Sequence, residues 1–62
     1  MDVKAIHINA LAKTHSQLWV ADEMGISQAA VSAMINNRRD IYCLRDTSTG
    51  ATISFVEYKT LR

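Results

Sequence analysis

The chain has no proline, one cysteine and two glycines among its 62 residues. Without proline there is no polyproline or collagen-type segment. A single cysteine, Cys43, excludes an internal disulfide, and no cysteine–histidine spacing suggests a metal site. The two glycines, Gly25 and Gly50, are too few and too far apart for a glycine-rich phosphate loop. No apolar run approaches the roughly 18 residues of a membrane span, and no basic-plus-apolar leader is present. The chain is therefore expected in the cytosol, without a membrane partner. The net charge of +1 is low for a nucleic-acid protein and weakens a purely electrostatic argument; the distribution of charge matters more than the sum. Catalytic constellations are missing as well. His7 and His15 have no acidic or cysteine partner at ligand spacing and read as structural or surface residues. Cys43, between Tyr42 and Leu44, reads as a small core residue. No catalytic residue, metal, cofactor or small-molecule substrate is expected.

With 48% hydrophobic residues the composition is that of a globular chain. One domain of this size buries only about 60% of its unfolded surface, so oligomerisation is an expected source of added stability. The informative stretch is Gln17 to Asn36, QLWVADEMGISQAAVSAMIN. Val20, Ala21 and Met24 form one helical stripe; Val31, Met34 and Ile35 form another. Gly25 between them is a helix stop, because it adopts positive φ without a Cβ penalty. Ser27 is the N-cap candidate of the second helix. The spacing predicts helix, a turn of about three residues, and helix. A small Ala21 lets the two helices approach, Ile26 plugs the turn, and the branched Val31 packs into the first helix. An unrelated αα-hairpin shares the outline but not this coincidence of residue types.

The second helix leaves Ser27, Gln28, Ala29, Ser32, Ala33 and Asn36 facing outward, followed by Asn37, Arg38 and Arg39. Gln and Asn amides pair with adenine edges, Ser donates or accepts, and Ala touches a thymine methyl. Arginine takes guanine or a phosphate in a bidentate pair. This face fits base reading, although a small-residue helix is also simply a good helix former. Gln17 opens the first helix, where free amides favour phosphate contact. Asp22 and Glu23 fall on the outer surface of that helix. Trp19, outside its stripe, reads first as lying flat over a neighbouring element, with a subunit contact or packing against a DNA backbone as the alternative.

The flanks are less regular. Val3, Ile6, His7, Ala10 and Leu11 fit one helix capped by Asp2. They also fit an extended piece over Val3 to Ile6 with a helix beginning near His7 or Ile8, burying Ile8, Leu11 and Ala12. Beyond Asp40, Ile41 to Leu44 and Ala51 to Tyr58 are strand-like, with the turn Asp46 to Gly50 between them. Strict alternation puts Ile53 and Phe55 on one face and Thr52, Ser54, Val56 and Tyr58 on the other. A lone hairpin is unstable, so this one must pack on the helices. The unpaired edge of its second strand invites a second copy.

Gln17, Ala21, Gly25, Gln28, Ala30, Ile35, Arg39 and Ile41, with the trailing Arg39-Asp40-Ile41-Tyr42 and the hairpin, make the chain resemble the lambda-type Cro repressors of bacteriophages. The resemblance covers most of residues 15 to 58. It implies an α+β fold of three helices and a C-terminal antiparallel hairpin, with a short N-terminal strand completing the sheet. Residues 1–62 would form one helix-turn-helix DNA-binding domain, with 41–58 as hairpin and dimerisation element. It implies a homodimeric transcriptional repressor on double-stranded, pseudo-palindromic operator DNA in a lysis–lysogeny switch. Gln17 would touch phosphate, Gln28, Ala29 and Ser32 the base edges, and Asn36 and Arg39 would lie at or beside the backbone. The family pattern has lysine where Ala33 and Asp40 stand, and Arg38 is the candidate replacement for part of that charge. The tail lacks the family's Pro-Phe ending, so Phe55, Val56, Tyr58 and Leu61 are the candidates for the dimer contact. The competing readings are a helix-turn-helix protein-interaction module, such as a DNA-binding antitoxin, and a small enzyme.

Overall fold

The computed structural model describes residues 2–58. Its elements run β1 (Val3–His7), α1 (Ile8–Thr14), α2 (Gln17–Met24), α3 (Gln28–Asn36), β2 (Ile41–Asp46) and β3 (Thr52–Glu57). The result is an α+β fold, with three helices and an antiparallel sheet in the order β1-β2-β3.

The N-terminus takes the extended form. Val3 pairs with Asp46 and Ile6 with Cys43, so β1 exists through pairing with β2. Asp2 caps no helix; its carbonyl accepts from the Thr47 amide at 2.9 Å. His7 ends the strand and starts α1 at once, its Nδ1 accepting from the Asn9 amide at 3.1 Å. A ring nitrogen that accepts leaves the other to carry the proton, so Nε2 donates to Asp40 Oδ1 at 3.2 Å. One imidazole thus joins the head of α1 to the entry of β2.

Seven side chains form the core: Ile8, Leu11, Val20, Ala21, Val31, Ile41 and Cys43. They come from all three helices and the central strand. Ile6, Met24, Ile26, Met34, Ile35 and Phe55 pack around them, half-buried. Each full burial of a branched aliphatic contributes about 1.5–3 kcal/mol, so a core this thin depends on every member. Cys43 is fully buried, and burial pushes its thiol pKa up against a weaker downward pull from the Thr52 hydroxyl.

The hairpin departs from strict alternation. Leu44 pairs with Ser54 but Arg45 pairs with Thr52, which leaves Ile53 as an inserted residue. A bulge of this kind shifts the residues beyond it to the opposite face. Thr52 therefore turns to the helix side, donating its hydroxyl proton to Glu23 Oε1 at 2.8 Å, and Ile53 is 48% exposed instead of joining Phe55. Ser54, Val56 and Tyr58 keep the outer face, where the Tyr58 ring meets Tyr42 edge-on at 5.3 Å. The turn is closed by the Gly50 amide to Asp46 O at 2.7 Å and the Ser48 amide to Asp46 Oδ1 at 2.8 Å.

Candidate nucleic-acid interface

Two short helices meet at a three-residue turn, and each part of the turn has a physical reason. Gly25 adopts φ 71°. Its amide donates to Asp22 O at 3.2 Å, and the Ile26 amide donates to Ala21 O at 3.0 Å, which closes α2. Ser27 then caps α3, its Oγ accepting from the Ala30 amide at 3.1 Å. Ser16 does the same for α2 through the Trp19 amide at 3.0 Å. Ala21 is 2% exposed and Val31 fully buried, so the helices meet through the small and the branched residue. Neither helix carries an acid in its first turn. Both positive helix ends are therefore open to an anion.

The outward face of α3 is as expected. Ser27, Gln28, Ala29, Ala33 and Asn36 are exposed and Ser32 is half-buried. The Ser27 hydroxyl accepts as a cap and keeps its own proton to donate. Gln17 is half-buried at the head of α2, and Leu18 beside it is 64% exposed. Val56 is half-buried and Tyr58 is 63% exposed, both on the outer face of β3 at the sheet edge; Phe55 packs against the core of its own chain. Leu61, with Lys59 and Arg62, lies outside the described residues.

The segment after α3 holds what the sequence did not disclose. Asn37 donates its amide to Ala33 O at 2.9 Å. Arg38 follows at φ 54°, the only non-glycine residue in the left-handed region among the described residues. Its amide bonds Ile35 O and that of Arg39 bonds Met34 O, both at 3.1 Å. Arg38 is exposed and makes no ion pair within the described residues. Arg39 instead forks onto Glu57 of β3, with Nε to Oε2 at 2.8 Å and Nη2 to Oε1 at 2.7 Å. That hydrogen bond, and the charge behind it, raises the Arg39 pKa further. Asp40, one of the two places where the resemblance had lysine, is held by His7. No single-residue rule finds these pairs, because they need the strand register.

Trp19 is half-buried and packed against the core. It stacks on His15 with centroids 4.0 Å apart, and the Arg45 guanidinium lies 5.4 Å from its ring centre. The expectation that it covers a neighbouring element holds. No cluster of potential metal ligands occurs among the described residues, and no helix there is long and apolar enough to cross a membrane.

A helix-turn-helix with an exposed, polar second helix, set on a small antiparallel sheet, defines the class of a DNA-binding regulator. The family comparison agrees: the family model for Cro matches residues 3–61, and the chain belongs to the Cro family. This is a family of DNA-binding transcription regulators, repressors of phage origin, and not of enzymes. Comparison with curated proteins gives no significant match.

Proposed function

We propose that this chain is a sequence-specific repressor that binds a pseudo-palindromic operator as a homodimer, residues 1–62 acting as one DNA-binding domain. The supporting observation is the exposed face of α3, uncharged and rich in amide and hydroxyl groups, which ends in the left-handed Arg38. Gln28, Ala29 and Ser32 read base edges, with Ser27 and Ala33 beside them. Gln17 binds phosphate through the head of α2. Asn36, Asn37, Arg38 and Arg39 follow the backbone at the other end. Occupancy of the operator excludes polymerase, so no chemistry is required.

The second copy docks on the hairpin, residues 41–58. β3 is a sheet edge among the described residues, and Val56 and Tyr58 supply apolar area beside it. Leu61 is the further candidate for this contact, and Phe55, turned to its own core, supports β3 from behind. A two-fold axis there sets the recognition helices about 34 Å apart, one turn of the duplex.

Selection of bound sites from random duplex DNA, at several salt and protein concentrations, tests this reading. A two-fold site with half-sites about one turn apart is the expected product. An asymmetric half-site would remove the dimer and keep the recognition helix. No enrichment at low salt would leave a protein-interaction module. Gln28→Ala should cost about 1–3 kcal/mol at one base pair and relax specificity there; a uniform loss over all sequences would remove Gln28 from the base-reading set.

A further inference from the structure

The opposite edge of the sheet carries a second surface. A groove of about 530 Å³ runs between β1 and α1. Lys4, Ala5, Ile6 and His7 all line it. Consecutive strand residues alternate between faces, so four in a row border one groove only where it follows the strand's edge. Among the described residues no strand pairs with that edge, because β1 is terminal in the sheet. Every second residue of β1 therefore presents its amide and carbonyl to whatever lies in the groove. Ile6 and Leu11 give it an apolar floor, and Ala10, which is exposed, leaves room above α1.

The charge is of one sign. Lys4 and Arg45 line the groove and, among the described residues, no carboxylate does. Lys4 makes no ion pair among the described residues. Arg45 bonds the Gly50 carbonyl and its Nη1 lies 3.5 Å from His15 Nε2, so its guanidinium is held in place with no carboxylate partner among the described residues. Asp46, next along β2, turns to the other face and accepts from Ser48. The groove also lies on a different flank of α1 from Lys13. Ala10 and Thr14 border it, whereas Asn9 and Lys13 border a separate cleft with Gln17 and Ile35.

We propose that the β1–α1 groove binds an extended acidic peptide of a partner protein, which adds to β1 as a fourth strand with its carboxylates on Lys4 and Arg45. Backbone pairing supplies affinity, and the apolar floor takes alternate side chains. A strand edge with an apolar floor suits a peptide better than a duplex, whose phosphates use neither. The site is independent of α3 and of the β3 edge, so its failure would leave the operator reading standing.

The test titrates the ¹⁵N-labelled protein with an eight-residue peptide alternating glutamate and valine. Its lysine–valine counterpart and a short mixed-sequence duplex are run in parallel. The acidic peptide should shift the amides of Val3–His7 and Ala10–His15 and bind with a Kd below about 1 mM. Lys4→Glu should weaken it about five-fold while leaving the spectrum of the free protein folded. The proposal is overturned by any of four results: no shifts at about 1 mM peptide, equal binding of both peptides, shifts confined to Thr52–Glu57, or the same amides moved by the duplex instead.

Discussion

The ends of α2 and α3 are built alike and filled differently. Each helix closes with a left-handed residue whose amide bonds back three positions and a following residue whose amide bonds back five. At the end of α2 these are Gly25 and Ile26; at the end of α3 they are Arg38 and Arg39. Gly25 takes its conformation at no steric cost, and Ile26 turns into the core. Arg38 holds the same conformation with a long side chain, which costs about 1–2 kcal/mol. The residue after it leaves the core for Glu57 on β3. The first end is therefore a pure packing solution. The second retains strain at a point where the proposed interface needs a cation, the usual place for strain to be kept.

Exchanging the residue types tests that contrast. Gly25→Ala should have the largest effect, a loss of about 1–2 kcal/mol. For a chain of this size the thermal midpoint falls by roughly 5–15 °C. Nothing lies within 4 Å of a Cβ added there, so the loss is conformational rather than a clash. Gly25→Asn should recover part of it, since asparagine tolerates the left-handed region. Equal losses for Ala and Asn would show that the turn tolerates no side chain at all.

Arg38→Gly should act with opposite signs on two readouts. Stability should rise by about 0.5–1 kcal/mol, the relief of strain less the added freedom of the unfolded chain. Affinity for any duplex should fall, with the salt slope reduced by about 0.9 if one phosphate contact is lost. A gain in stability with DNA binding intact would make Arg38 an accident of the fold. No gain in stability would mean the strain is absent.

The contrast also marks how far the residues alone could be read. Ala21, Gly25, Ser27 and Val31 act over a few positions, and local rules place them correctly. The exposed face of α3 follows by subtraction. Val3 to His7 is different: its apolar spacing fits a helix, and only pairing with β2, far along the chain, makes it a strand. The resemblance tipped that choice; the spacing could not. The bulge at Ile53 overturned the assignment of Thr52 and Ile53, because alternation assumes an unbroken ladder. Arg38 carries no local mark of a left-handed conformation. The Arg39–Glu57 and His7–Asp40 pairs depend on tertiary register and were invisible for the same reason.

The smallest effect concerns Arg39, whose guanidinium is held by a carboxylate in the fork geometry it would offer a phosphate. If phosphate and Glu57 share it, Arg39→Ala should lower the salt slope of DNA binding by about one. Glu57→Gln should then strengthen binding to all sequences at low salt, by removing a competing negative charge beside the backbone. If Arg39 only ties α3 to β3, both variants should weaken binding alike and neither should alter the slope, since both break the same tie. Fluorescence anisotropy on one labelled duplex across a salt series separates the two. Opposite signs for the two variants place Arg39 with Arg38 at the interface. Equal signs return it to the role Ile26 plays at the other turn, a residue that holds the helix end to the rest of the fold.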